Sequence, residues 1–515
     1  MKNMNQLKAG TILSYVNLLI SCIIPLLYTP VMLDILGQAE YGLYSLANSV
    51  ISYLSLLNFG MGVAIIRYIT MYRAESKTEE VRRILGLFVV IYSCLSVLVC
   101  VGGVVLIQLS GSVFGKGLEP DEITRIRKLL VVMTVNTAIA FPLGIFSSAV
   151  IAYERYFFNK IICLVETIAA PVLNLIILYA GHGSLGMTMG GLGVTVANGL
   201  IYGCYCIKKI GVYPAFRKMP VFLLKELAVF CAFVFLSSIV DMLYWATDKV
   251  LIGAVIGSAA VAVYNVGGTF TAMLQNMAHA ISGVFGPRVN MMIAKDTPKK
   301  EISELLIRVG RLQYLIISLI LSGYIVFGKT FLRLWVGEDY DQAYYIALLT
   351  MVPLAVPLIQ NIAFTTIVAE NKHRFRSIVY AVIAVFNVIS TYLVLPYYGI
   401  VGAAVCTAAA FVLGQGIIMN IYYYRVTELD IPAFWGSIGK MSLVPGAMII
   451  VGGILVKFVL TMTTLWWFLA WVMAYTMMFG VLSWTVTMNP YEKNLFVSLA
   501  KKPLEAIKKK RFDKQ

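Results

Sequence analysis

Long apolar runs separated by short polar clusters dominate this chain. Runs begin near Gly10, Tyr41, Ile84, Leu129, Ile161, Ser184 and Leu227, and a second set begins near Val261, Leu312, Tyr345, Ile378, Gly399, Met441 and Leu460. Most continue for about the 17–25 residues that a membrane-spanning helix requires. The pattern predicts an all-α integral membrane protein of about 14 transmembrane helices joined by short loops. The first run extends to about Leu33 behind Lys2 and Lys8. It is too long for a signal-peptide core and has no small-residue cleavage site, so it reads as a retained first helix.

Basic residues between the runs set the orientation. With the N-terminus inside, eight of the 41 Lys and Arg (Lys116, Arg125, Arg127, Lys128, Lys249, Lys329, Arg333 and Lys457) fall outside and the other 33 inside. Cytoplasmic loops carry such an excess, so both termini are expected in the cytoplasm.

The pattern also repeats. The stretch from Leu36 to Ser45 lines up with that from Ile256 to Asn265, and Ala152 to Ile161 matches Ala369 to Ile378 with Phe158 opposite Phe375. Asn174 falls within about one helical turn of the place matching Asn387. An even number of helices separates the copies, so the repeat is parallel, and such repeats place a substrate site between the halves. The expected division is two six-helix lobes, 1–218 and 219–432, two additional helices within 433–488, and a basic cytoplasmic tail, 489–515. In that tail Leu495, Leu499, Leu504 and Ile507 approach helical spacing among Lys501, Lys502, Lys508, Lys509, Lys510 and Arg511. This suits a helix lying on an anionic leaflet, or a solvated charged tail.

Composition narrows the classes further. Of 515 residues, 60% are hydrophobic and 13% charged, with a mean hydropathy of +0.84, whereas soluble domains sit near 45–50% and about 25%. Lipid must solvate most of the chain. The net charge of +16 is spread among the loops and not gathered into a basic domain, so nucleic acid is not an expected partner. The eight cysteines lie in or beside apolar runs and read as small core residues, not as a disulfide framework or zinc site.

Three stretches carry a family likeness: TPVMLDILGQAEYGLYSLANSVISYLSLLNFGMGVAIIRY near the N-terminus, DKVLIGAVIGSAAVAVYNVGG from Asp248 to Gly268, and FLRLWVGEDYDQAYYIALLTMVPL between the ninth and tenth helices. They resemble the polysaccharide flippases (Wzx type) of the multidrug/oligosaccharidyl-lipid/polysaccharide exporter superfamily. The resemblance implies two six-helix lobes around a central cationic cavity and alternating access driven by an H+ or Na+ gradient, without a cofactor. It further implies an undecaprenyl-diphosphate-linked oligosaccharide as cargo, a bacterial cytoplasmic membrane as location, and membrane lipids and glycan polymerase machinery as partners. The lipid II flippase branch has basic residues in its first helix; none lies between Gly10 and Leu33 here, which favours the capsule or O-antigen type.

Ionisable groups inside a membrane are costly, so each is a functional candidate. Asp241 lies about fifteen residues into the seventh helix, and Asp248 follows at i+7 on nearly the same face, beside Lys249. The expected roles are a proton or sodium site at Asp241, with Asp248 and Lys249 at an outer gate; the plainer reading is an interfacial pair ending the helix. Glu166 on the fifth helix is a further ion-coupling candidate, unless it snorkels to the inner surface. His279, behind Gln275 and Asn276, is either a relay or a packing histidine. Arg67 and Arg288 end corresponding helices near the inner face, where they suit diphosphate capture or simple positive-inside anchoring. Asn174 and Asn387 are candidate sugar-binding amides among several mid-helix amides, some of which must serve helix packing.

Gly323 to Thr330 satisfies the phosphate-loop pattern GxxxxGK[ST], but that motif needs a strand before it and a helix after it to cradle nucleotide, and here it ends a membrane helix. No catalytic or metal-ligating constellation is expected. A drug/ion antiporter of the same superfamily is the nearest alternative, though it would favour twelve helices and an acidic cavity. A membrane glycosyl polymerase is a more distant one, since it would need a large outer loop with catalytic residues.

Overall fold

The structure, a computed structural model, describes residues 2–283, 285–370, 372–458 and 464–498, all of them helix, turn or short linker. Ten helical stretches are long and apolar enough to cross a membrane. Two of them are double. In Lys2–Ser55 the backbone reverses at Gly37 (φ 75°, ψ 168°), and in His373–Phe411 it does so at Gly399 (φ 60°, ψ −155°). Those angles are open to glycine and strained for any L side chain, so glycine makes a tight reversal possible at each point. Two further crossings are broken helices, Leu224–Trp245 with Thr247–Val255, and Ser258–Ser282 with Gly286–Ala294. The described residues thus make fourteen passes, as the apolar pattern predicted.

The repeat is visible in the geometry. Gly257, which matches Gly37, also has positive φ (131°) and joins the seventh and eighth passes. Phe158 stacks on Tyr205 with ring centroids 3.7 Å apart. Phe375, its counterpart, stacks on Tyr422 at 4.5 Å, and both pairs have the same sequence separation. The second pass breaks around Phe59 and Gly60 and restarts as Met61–Ala74. The eighth restarts likewise as Gly286–Ala294, so Arg67 and Arg288 each sit in a short terminal piece.

By its contacts the chain divides into two compact units, Met1–Thr269 with Ser377–Ala410, and Phe270–Arg376 with Phe411–Gln515. In the first, helices approach closely where one side is small. A Cβ on Gly103 would come within 2.2 Å of Thr134 Cγ2, and one on Gly42 within 1.8 Å of the Ser258 carbonyl oxygen. Lipid offers no hydrophobic drive between helices, so such close van der Waals contact and buried hydrogen bonds supply the adhesion. Large side chains such as Leu27, Ile176 and Val382 stand exposed, as lipid-facing surface requires.

In the second unit the thirteenth and fourteenth passes (Ile431–Phe458 and Leu465–Thr487) dock on the ninth, Lys299–Val336. Their core holds Val326, Phe327, Val444, Met448, Phe468, Tyr475 and Phe479. Phe327 meets Tyr475 edge-on at 5.3 Å, a contact worth about 0.5–1.5 kcal/mol beyond area burial. Deeper along the ninth pass, Arg311 donates from Nε and Nη2 to the two oxygens of Glu492 at 2.5 and 2.9 Å, and from Nη1 to Ser437 Oγ at 3.0 Å. Asn489 and Glu492 cap each other reciprocally. The segment after the fourteenth pass therefore begins as a helix pinned to protein.

Four sequence expectations change or find their limits here. Asp241 and Asp248 differ in burial: a single turn residue, Ala246, separates Leu224–Trp245 from Thr247–Val255, and Asp241 is exposed while Asp248 is buried. Cys206, Cys231 and Cys406 are buried core residues as expected, whereas Cys94, Cys100 and Cys204 are exposed, and none of the eight is in a disulfide. The basic tail beyond Ser498, including Leu499, Leu504, Ile507 and its lysines, lies outside the described residues. The phosphate-loop-like stretch lies inside the uninterrupted helix Lys299–Val336, where the amides are bonded to their own helix.

Candidate functional site

Two adjacent residues in the short Thr247–Val255 segment organise a polar centre in the first unit. Asp248 is 2% exposed. Its Oδ2 accepts from Tyr264 Oη at 2.6 Å and from Thr407 Oγ1 at 2.7 Å. Thr407 lies 3.4 Å from both amide atoms of Asn387, and Thr391 Oγ1 reaches Asn387 Oδ1 at 3.5 Å. The second carboxylate oxygen, Oδ1, is buried without a hydrogen-bond partner. Leaving a buried oxygen of this kind unsatisfied costs about 1–3 kcal/mol, more for a charged group, and a proton, a water or a cation would satisfy it. On the Oδ2 side stand two hydroxyls, with the Asn387 amide reached through Thr407; carboxylate, hydroxyl and amide oxygens are the donors that hard cations take.

Lys249 points the other way. Its Nζ donates to Asn265 Oδ1 at 2.5 Å, and Asn265 Nδ2 donates to Tyr41 Oη at 2.6 Å. The ammonium makes no ion pair among the described residues. It lines a cavity of about 480 Å³ together with Met32, Tyr41, Tyr44, Ser45, Asn48, Ser49, Ser52, Met242, Trp245, Ala246 and Asn265. Among the described residues, no Asp or Glu lines this cavity. One side of the cavity is tied down by Tyr53 Oη to Thr247 Oγ1 at 2.6 Å.

Repeat symmetry sharpens the asymmetry of function. Eight residues before Ile256 stands Asp248; eight residues before Leu36, the matching position, stands Tyr28. Tyr264 matches Tyr44 and Asn265 matches Ser45. The carboxylate therefore occurs in one half of the repeat and not in the other.

The structure brings together Asp248 and Asn387, which the sequence had assigned separate roles, and gives Lys249 a cavity wall. Other candidates lie elsewhere. Asn174 is half-buried on the fifth pass against Gly190 of the sixth. Glu166, exposed on the fifth pass, hydrogen-bonds Asn198 of the sixth. Arg67 Nη2 stands 4.0 Å from Glu226 Oε1, both side chains more than half exposed, a counter-charge on the seventh pass that the sequence did not disclose. Arg288 and His279 belong to the second unit, and both are exposed. Sequence reasoning missed Asn48, Trp245, Tyr264, Asn265 and Thr407. Tyr264 and Asn265 stand in the repeated stretch, which was the available signal; Thr407 offered none. Several mid-helix amides are now placed in packing roles: Asn58 Oδ1 accepts from Tyr92 at 2.7 Å, Asn17 Oδ1 accepts from Thr167 at 3.0 Å, and Gln360 pairs with Asn420.

Fourteen helical passes, a parallel internal repeat and a cavity bordered by Lys249 with amide and hydroxyl groups belong to a multi-pass membrane transporter. The chain belongs to the family described as "Polysaccharide biosynthesis protein", which matches residues 7–293. A Shigella flexneri protein named "Putative O-antigen transporter" is 22% identical over 407 residues, covering 75% of this chain and 90% of that one. The Bacillus subtilis (strain 168) "Uncharacterized membrane protein EpsK" is 21% identical over 446 residues, covering 82% and 84%. Among solved structures, the inward closed conformation of the lipid II flippase MurJ matches with a TM-score of 0.73 over 92% of this chain and 98% of that one, at 16% identity. An inward-facing multidrug resistance MATE transporter of the MOP superfamily matches at 0.60, covering 82% and 99% at 14% identity. The fold is thus that of this exporter superfamily, whose named members here are transporters and flippases and not enzymes.

Proposed function

We propose that this chain is a flippase that carries an oligosaccharide, linked to undecaprenyl diphosphate, from the inner to the outer leaflet of a bacterial cytoplasmic membrane. In this reading both termini are cytoplasmic, and the halves 1–218 and 219–432 alternate access to the cargo. One observation carries it: the cavity walled by Lys249, Asn265, Asn48, three serines, two tyrosines and Trp245. Sugars are held by amides, hydroxyls and aromatic faces, and a diphosphate or acidic sugar needs an unpaired cation. The names of the O-antigen and lipid II relatives point the same way. A cavity wall with Lys249 and no carboxylate speaks against the drug/ion antiporter alternative, which would need acidic groups for cationic cargo. The oxygen cluster at Asp248, with its unpartnered Oδ1, would hold the coupling H+ or Na+.

The test is export of surface glycan in a host lacking its own copy of this flippase. Lys249→Ala should reduce export at least about tenfold, the equivalent of one charged hydrogen bond of about 1.5–3 kcal/mol, at normal protein level. Undiminished export by Lys249→Ala would refute the reading of this cavity.

A further inference from the structure

Residues 206–225 join the sixth pass to the seventh. They include five cations, Lys208, Lys209, Arg217, Lys218 and Lys225, and no Asp or Glu. All five are exposed, and none is in an ion pair among the described residues. The loop between the second and third passes is different: Arg73, Lys77, Arg82 and Arg83 each stand beside a glutamate. Positive-inside anchoring accounts for the charge of both stretches. Of the two, only 206–225 leaves its cations open to an anion from outside the chain. The stretch is also held in place. Ala215 N donates to the Arg82 carbonyl at 2.8 Å, and Arg82 Nη2 donates to the Gly211 carbonyl at 3.2 Å. The guanidinium lies 4.2 Å from the centre of the Tyr213 ring. A Cβ on Gly86 would come within 2.2 Å of the Ala215 carbonyl oxygen, so the third pass offers bare backbone for this strap to lie on. Val212 and Leu223 are buried and supply its inward packing. Other large apolar side chains stay uncovered: Tyr213 is 48% exposed, Phe216 59% and Phe222 77%.

We propose that this strap, with the lysines at its two ends, is a binding site for anionic phospholipid of the inner leaflet. Its cations meet the headgroup phosphates, and Phe216 and Phe222 sit at the acyl boundary. Exposed rings interleaved with unpaired cations suit that surface and no simpler one. Water alone would leave the rings uncovered, and acyl chains alone would strand the charges. The charge selects among lipids, because a zwitterionic headgroup offers no net attraction to a basic segment while an anionic one does. The site needs the cytoplasmic placement of residues 206–225 and not the identity of the cargo, so it stands or falls apart from the flippase reading.

The experiment uses the full chain in vesicles of mixed phosphatidylcholine and phosphatidylglycerol. A trace of either lipid carries a photoactivatable group on its acyl chain, and labelled peptides are mapped by mass spectrometry. In the wild type, peptides from 206–225 should take label from the phosphatidylglycerol probe at least about fivefold more than from the phosphatidylcholine probe, the equivalent of about one basic residue at an anionic surface. Replacing Lys208, Lys209, Arg217 and Lys218 by Gln should bring that ratio to near one. Gln at Arg155, Lys295, Lys300 and Arg374, which are also exposed, removes the same charge from other loops and should leave the ratio unchanged. Phe216→Ser with Phe222→Ser should lower labelling by both probes alike, since every charge is kept. A wild type without preference, a measurement that depends on no variant, overturns the proposal and leaves the strap to water or to an acidic protein. A preference lost equally in both Gln variants overturns it too, reducing the effect to the overall charge of the inner face. Labelling by both probes that is undiminished in the double Ser variant overturns the seating of the rings.

Discussion

By sequence Asp241 read as the ion site and Asp248, beside Lys249, as part of an outer gate, two acids seven residues apart in an apolar run. Burial separates them, Asp248 being buried and Asp241 exposed, and no local feature of the sequence says which acid would be covered. Partners completed the difference: Tyr264 and Thr407 bond to Asp248, the latter from 159 positions away. Asp248→Asn should therefore lower glycan export at least about tenfold, while Asp241→Asn, on an exposed position, should have a smaller effect at equal protein level. Equal export by the two variants would remove the coupling role from Asp248. The arginines are a separate matter. Arg67 faces Glu226 at 4.0 Å with both side chains exposed, an arrangement worth about 0–1 kcal/mol and easily exchanged for a diphosphate. If Arg67 and Arg288 capture the headgroup with bidentate donors, replacing both by Lys should impair export although charge is preserved. Normal export from the double lysine variant would leave them as positive-inside anchors.

At the scale of elements, the repeat was legible because its signals are local. Gly37 and Gly257 mark tight reversals in equivalent places, and the matched Phe158 and Phe375 each find a stacking tyrosine. Contacts made by distant, unremarkable residues were not legible. Nothing in the sequence pairs Arg311 with Glu492, and the segment after Asn489 read as a basic helix on an anionic leaflet or a solvated charged tail. Yet the pair is buried, at 10% and 2% side-chain exposure, and Arg311 also holds Ser437 and the Thr487 carbonyl. It ties the ninth pass to the thirteenth and to the end of the fourteenth. Removing one partner of such a pair strands the other charge, so Arg311→Ala should destabilise by about 3–5 kcal/mol. Thermal unfolding in detergent would read this as a lowered midpoint. A midpoint equal to wild type would mean that water or a neighbour replaces the lost partner.

For the whole molecule, the number of passes is the legible quantity, since lipid allows few alternatives to apolar helices of fixed length. The 33-to-8 distribution of Lys and Arg predicts that cysteines introduced at Lys77 and Lys509 are shielded from an impermeant thiol reagent in intact cells. Labelling of either from outside would reverse the orientation and the direction of transport with it. The central claim is that the chain moves a lipid-linked glycan through the Lys249 cavity, and reconstitution tests it most directly. Proteoliposomes would carry an undecaprenyl-diphosphate-linked oligosaccharide in both leaflets, with the fraction reached by an external glycosidase followed over time. The account predicts that wild-type protein brings the inner-leaflet pool within reach of the enzyme, and that Lys249→Ala vesicles resemble protein-free ones. An inner pool that stays protected with wild-type protein, with and without an imposed H+ or Na+ gradient, would contradict it.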